Sequence, residues 1–160
     1  MHHAYLKREL PLLEQFIAHV IEVDGHKHGT TLVPLRKVFQ HFKQELAAHM
    51  RAEESILFPA LMELEAARGR GAELPQLPFG SVLNPIRMLM MEHETTGWEL
   101  DEMREITLGY DPPPDACESY CELYRRLRVL ETEMRVHIDL ENNILFPRAA
   151  RLEKREFRCR

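Results

Sequence analysis

The sequence predicts an all-α protein with the architecture of an up-down-up-down antiparallel four-helix bundle. Apolar residues recur at intervals of three and four along stretches rich in helix-forming residues. No stretch shows the alternation of apolar and polar residues that is typical of a strand. Breaks rich in glycine and proline separate four helical stretches, and the short connections favour antiparallel neighbours.

The first break contains Gly25, Gly29 and Pro34, because glycine and proline are the residues least compatible with a helix interior. The second break is rich in the same residues, and the third contains three consecutive prolines. We therefore predict four helices, with boundaries at residues 3–23, 33–67, 84–108 and 115–155.

Capping signals support the starts of the last two predicted helices. Asn84 followed by Pro85 has the pattern of an N-cap and a first helical residue. Asp115 and Glu118 have the spacing of a capping box. Pro59 and Pro147 fall inside the second and fourth predicted helices. We expect a kink or a break at each, since proline lacks a backbone donor and clashes with the preceding turn.

Length and composition restrict the class of protein. A chain of 160 residues with 44% hydrophobic and 29% charged residues fits one globular domain, residues 1–160. A net charge of −5 gives no indication of nucleic-acid or membrane partners, and the oligomeric state is predicted as monomer or homodimer. The odd cysteine count, without a CxxC pair, favours free thiols at Cys117, Cys121 and Cys159 and a cytoplasmic location.

Two segments of the chain have almost the same sequence. His49 to Pro59 and His137 to Pro147 both follow the pattern H-x3-E-x2-I-L-F-P. A histidine and a glutamate four residues apart lie one turn apart on the same face of a helix. Two such pairs on facing helices can supply the ligands of a two-metal site in a helical bundle.

Two further histidines, His3 and His93, lie on the first and third predicted helices. The four histidines follow one another at nearly equal intervals, so an antiparallel bundle returns each to a similar height. Four imidazoles and two carboxylates favour iron, with manganese or zinc as alternatives, over the oxygen-only sites of calcium or magnesium. His2 competes with His3 for the position on the first helix. The predicted metal ligands are His3, His49, Glu53, His93, His137 and Glu141, with both glutamates bridging two metal ions.

Three more carboxylates, Glu45, Glu92 and Glu133, are candidates for orienting the imidazoles or for proton or ion passage. Their alternative interpretation is as ordinary surface carboxylates. His41 continues the stripe of His49 toward the N-terminus. Because residues four apart drift by about 40° around a helix, we expect His41 to leave the metal-binding face.

These motifs resemble the hemerythrin-like (HHE cation-binding) domains, and most closely the di-iron domain of the repair-of-iron-centres proteins, the iron-sulfur cluster repair family. The resemblance covers nearly the whole chain. It rests on His3 with Glu9-Leu-Pro, on the two repeated segments, on Glu92-His93-Glu, and above all on the run from Leu140 to Ala149. The resemblance implies two iron ions with an oxo or hydroxo bridge, bound by the same six residues.

The resemblance also implies action in the repair of iron-sulfur centres under nitrosative or oxidative stress. Iron donation to acceptor proteins and the binding or reduction of nitric oxide are the implied activities. The alternatives are a sensor or carrier of dioxygen or nitric oxide, or an iron-storage protein without turnover. Two positions depart from the related sequences: Asp24 replaces a frequent histidine, and Gly97 stands where oxygen-carrying hemerythrins have another ligand.

Overall fold

The computed structural model describes residues 2–154, and within that range the chain forms helices and no strand. The prediction of an all-α protein is confirmed. Cys159 and the predicted end of the last helix at residue 155 lie outside the described residues. The five α-helices are α1 (His2–Ala52), α2 (Phe58–Gly69), α3 (Leu83–Ile106), α4 (Glu118–Leu140) and α5 (Phe146–Glu153).

The chain divides into two compact units. Among the described residues, the first unit comprises 2–47 and 94–137, and the second comprises 48–93 and 138–154. The first unit buries apolar stripes from both halves of α1, including Leu13 and Phe39, which are fully inaccessible. In the second unit α2 packs against α5 around a separate apolar cluster that includes Leu57, Leu64 and Phe146.

The predicted break between residues 24 and 32 is reduced to a kink at one residue, because the backbone stays helical there except at His28. His28 has φ −118° and ψ 18°, so two helical stretches meet at a kink. The amine of Lys43 donates to the carboxylate of Glu14, which shows that the stretches fold back on each other. Val20 and Leu32 are completely buried on either side of the kink. Burial of this kind overrides the weak helix propensity of the two glycines.

A kink or a break was expected at each motif proline; each proline follows a π-helical turn, which interrupts the α-helix without breaking the helical path. Glu53–Leu57 forms one such segment and Glu141–Leu145 the other, and we call them the first and second π-turns. The N–H of Phe58 donates to the carbonyl of Glu53, five residues back, and Phe146 does the same toward Glu141. Pro59 and Pro147 have no N–H to donate, so the wider turn forms where an α-helical hydrogen bond could not.

Both predicted helix starts are displaced. α3 begins at Leu83, whose N–H donates to the hydroxyl of Ser81 at 3.2 Å. α4 begins at Glu118, and the N–H of the preceding Cys117 donates to Asp24 at 3.1 Å. The predicted cap residue Asp115 instead contacts His28 at 3.0 Å. The Asp24 side chain from α1 therefore takes the capping role that the sequence predicted for Asp115.

None of the helices within residues 2–154 is both long enough and apolar enough to cross a lipid bilayer.

Candidate metal centre

The second unit brings four of the six predicted ligands together. Each of these residues offers one donor atom, and the four atoms all lie within 4.8 Å of one another. The four side chains are buried, with exposures from 0% at Glu53 to 5% at Glu141. This cluster, the four-residue cluster below, consists of His49, Glu53, His93 and Glu141.

The imidazoles in the four-residue cluster face each other through their Nε2 atoms. Nε2 of His93 lies 3.2 Å from Nε2 of His49 and 3.0 Å from Oε2 of Glu141. Nε2 of His49 lies 3.5 Å from Oε1 of Glu53 and 4.0 Å from Oε2 of Glu141. Two nitrogens and two carboxylates therefore surround one small volume.

The opposite nitrogen of each imidazole has its own polar partner. Nδ1 of His49 lies 2.7 Å from Oε2 of Glu92, and Nδ1 of His93 lies 2.8 Å from Oδ1 of Asn142. Both partners accept, so each Nδ1 carries the proton and each Nε2 presents a lone pair inward. The ring of Phe146 stacks on the imidazole of His93, with ring centroids 5.6 Å apart and an interplanar angle of 10°. This stacking restricts rotation of the His93 imidazole.

The π-turns place both carboxylates. Glu53 and Glu141 are the first residues of the two π-turns, one turn after the histidine of each motif. The carbonyl of each glutamate accepts a hydrogen bond from the N–H of the phenylalanine just before the proline. The shared spacing between glutamate and proline in the two motifs therefore places a π-turn at the backbone of each candidate ligand.

Burial and negative charge shift the pKa values in the cluster. Burial raises the pKa of Glu141, and the nearby carboxylate of Glu53 raises it further, against the opposing effect of His93. Burial opposes protonation of His49, but its hydrogen bonds and charge interactions with Glu53, Glu92 and Glu141 outweigh burial and raise its pKa. The surroundings of the cluster thus favour positive charge at its centre.

A metal cation fits this arrangement. Two imidazole nitrogens that face each other at 3.2 Å need either a proton or a metal cation between them. Two buried carboxylates have lost their hydration, which costs several kcal/mol per ion when no positive charge compensates it. A divalent ion bound by nitrogen and oxygen removes both costs, and this donor set suits iron, manganese or zinc. Hydrogen-bonded Nδ1 atoms are typical of histidines that bind metal through Nε2.

The other two predicted ligands, His3 and His137, belong to the first unit. Their ring centroids lie 5.9 Å apart, and the ring of His2 lies 5.1 Å from that of His137. His137 is buried, with an exposure of 6%. Nδ1 of His2 lies 3.9 Å from the carboxylate of Glu133.

Of the three carboxylates predicted to orient imidazoles, Glu92 makes such a contact with His49. Glu45 is exposed, and its charge acts on His41 and Glu99. Asn142 was not among the predicted residues, although it directly follows Glu141 in the repeated segment. The one sequence signal for its role is this position next to Glu141, where the two repeated segments differ.

Comparisons with known proteins agree with this chemistry. Residues 1–149 match the hemerythrin HHE cation binding domain. The chain is 33% identical over 145 residues to the iron-sulfur cluster repair protein ScdA of Staphylococcus haemolyticus, covering 91% of this chain and 61% of that protein.

Two further relatives carry the name iron-sulfur cluster repair protein YtfE. The Yersinia pestis protein is 34% identical over 152 residues, which cover 95% of this chain and 62% of the relative. The Edwardsiella ictaluri protein is 34% identical over 147 residues, with coverages of 91% and 61%. The chain thus spans about three-fifths of the length of these curated relatives. A match over residues 1–149 shows that the chain belongs to the hemerythrin HHE cation-binding domain family.

Proposed function

We propose that this protein binds a pair of iron ions and acts in the repair of iron-sulfur centres. The observation that carries the proposal is the four-residue cluster, in which buried Nε2 atoms and carboxylate oxygens converge. The Nδ1 atoms of the two imidazoles form hydrogen bonds to Glu92 and Asn142. The names of the related proteins supply the biological process. The proposal extends to the cytoplasmic location and the antiparallel four-helix arrangement predicted from the sequence.

In this proposal His49 and His93 bind one iron ion, and His3 and His137 bind the other. Glu53 and Glu141 bridge the two ions. The repeated motif supports the assignment, because it gives His137 the same relation to Glu141 that His49 has to Glu53. The proximity of the His3 and His137 rings within the first unit also supports it. Manganese and zinc are the alternatives that the donor chemistry allows.

The residues around the cluster perform three tasks. Glu92 and Asn142 hold the imidazole protons at Nδ1, so that Nε2 remains a donor. Phe146, which is buried and stacks on His93, excludes water from that side of the imidazole and restricts its motion. When bound, the iron pair supplies open coordination positions for nitric oxide or dioxygen. The iron itself is the cargo if the protein donates it to a damaged cluster.

The first experiment measures iron content and the optical spectrum of anaerobically purified protein, followed by iron transfer to an apo iron-sulfur acceptor protein. The proposal expects about two irons per chain and a gain of cluster absorbance in the acceptor. A Glu53→Ala variant tests dependence on the site, and Glu65→Ala, an exposed change on α2, is the matched control. Failure to bind iron, or iron that never reaches the acceptor, contradicts the repair function.

A carrier or sensor of gases is the second candidate. It predicts iron that stays bound and reversible changes in the spectrum with nitric oxide or dioxygen. A reductase predicts nitrous oxide when an electron donor is supplied. Gly97 offers no ligand where oxygen carriers have a histidine, and a Cβ there would meet no atom within 4 Å. The lack of a donor side chain at this position favours repair over oxygen carriage.

A further inference from the structure

A cavity of about 700 Å³ lies in the first unit, between the second stretch of α1 and the part of α3 after Glu94. Its volume is within the range of about 300–1,000 Å³ that is common for small-molecule sites. Apolar side chains form much of its wall, among them Val33, Val38 and Trp98. Val33 is 56% exposed and Trp98 is 68% exposed, so large apolar surfaces remain open to a ligand.

A buried carboxylate also lines this cavity. Glu99 is 7% exposed, and its Oε1 accepts a hydrogen bond from Nδ1 of His41. Within residues 2–154, no hydrogen bond reaches its other oxygen, Oε2. Burial raises the pKa of Glu99, which reflects the cost of keeping this carboxylate charged. A buried acceptor with an unfilled bonding position is suited to a donor that arrives with a ligand.

The side chain that already contacts Glu99 is itself exposed. The side chain of His41 is 62% exposed, so it can leave the carboxylate and remain solvated. Glu102 also lines the cavity, one turn after Glu99 on the same helix, and its negative charge offsets the positive charge of Lys37 in the same lining. The indole of Trp98 offers a π face to a cation in the same space.

We propose that this cavity binds a small organic ammonium ion with an apolar body. Its ammonium group donates to Glu99 in place of His41, and its apolar part lies against Trp98, Val33 and Val38. The combination of an apolar wall and one buried carboxylate selects a cationic head group over a neutral or anionic one. This site is independent of iron binding and of the proposed repair function.

Trp98 is the single tryptophan of the chain, so its fluorescence reports directly on this cavity. The experiment titrates the iron-loaded protein with 2-phenylethylammonium, and in parallel with 2-phenylethanol and 3-phenylpropanoate. We expect a saturable change in emission with the ammonium probe and at least about tenfold weaker responses with the other two. Equal binding of all three probes, or no saturable response to the ammonium probe, overturns the proposal.

Two variants and one control locate the interaction. Glu99→Gln keeps the shape of the side chain and removes its charge, so it should weaken binding of the ammonium probe about tenfold or more. His41→Ala removes the competing cation from an exposed position and should tighten binding severalfold. Glu105→Gln, an exposed change on the same helix, should alter affinity less than about twofold. Unchanged affinity in Glu99→Gln, or weaker binding in His41→Ala, contradicts the proposed site, and iron content should be the same in all three.

Discussion

The two H-x3-E-x2-I-L-F-P segments have the same backbone but different side chains beside the glutamate. Both π-turns begin at the ligand glutamate and end before the proline. In the second segment Asn142 follows the glutamate and accepts from His93, whereas the first segment has Glu54 at that position. His49 instead relies on Glu92 from α3. The repeated residues therefore set the ligand geometry, and the variable residues set the charge around each imidazole.

Removing either glutamate should have the largest effect, because the proposed bridging role makes Glu53 and Glu141 equivalent. We expect Glu53→Ala and Glu141→Ala each to lower iron affinity by more than about a hundredfold, since loss of a direct ligand exceeds the loss of an outer partner. Iron content after dialysis against a chelator measures this. Two equivalents of iron retained by either variant would contradict the bridging assignment, and Glu65→Ala should behave as the unaltered protein.

The unlike partners of the two imidazoles provide the next test. Glu92→Ala and Asn142→Ala should each reduce metal affinity by about 10–100-fold, because an unsupported imidazole is free to rotate and change its tautomer. Loss of the carboxylate should cost more than loss of the amide, since a hydrogen bond to a charged acceptor is stronger. Competition with a metal-binding indicator gives the affinities. A larger effect at Asn142 would reverse the proposed difference between the two imidazoles.

The motif prolines test whether the shared backbone depends on the missing N–H. Pro59→Ala and Pro147→Ala supply a donor to the carbonyl four residues back, so an α-helical turn can replace the π-turn. We expect metal affinity to fall about tenfold while the Tm of the metal-free protein stays the same or rises.

Pro11→Ala serves as the control for both variants. Pro11 is a helix-interior proline of α1 that follows no π-turn. It should leave metal affinity unchanged. An unchanged affinity in both motif variants would show that the π-turn does not depend on proline.

The sequence predicted residues whose donor atoms converge in the fold, whereas it did not predict the backbone that holds them. Period-three and period-four patterns identify helices, and the paired HxxxE spacing identifies a shared face, because both depend on local geometry. The π-turns at Glu53 and Glu141 could not be predicted in kind, since a proline inside a helix can be accommodated by a kink, a break or a wider turn. Contacts such as Asn142 with His93 join residues far apart in sequence, and no local pattern encodes them.

The same limit explains the helix boundaries. The segment around Gly25 and Gly29 has a poor helix propensity, yet burial of Val20 and Leu32 keeps it helical up to the kink at His28. The predicted cap of α4 failed because a competing carboxylate, Asp24, reaches Cys117 from α1. Tertiary contacts decided both cases, and they are the information that a single sequence holds least directly.

Asp24 gives the smallest predicted effect and tests whether a position outside the repeated segments influences stability without influencing metal. Its pKa is lowered by hydrogen bonds from the Cys117 side chain and from the Cys117 N–H. A carboxyl with a lowered pKa in the folded state stabilises the protein above its ordinary pKa, and this contribution is lost as the pH falls below that value. Asp24→Asn should therefore lower Tm at pH 7, and the difference should shrink as the pH falls through the lowered pKa of Asp24.

Thermal melts of Asp24→Asn across that pH range measure the effect, with Asp111→Asn, an exposed change, as the control. Iron content should be the same in both variants, because the helix cap lies in the first unit and the four-residue cluster lies in the second. Loss of iron in Asp24→Asn would mean that the position replacing a frequent histidine of related sequences still acts on the metal. A Tm difference that does not shrink as the pH falls would instead assign the stabilisation to packing rather than to the charge of Asp24.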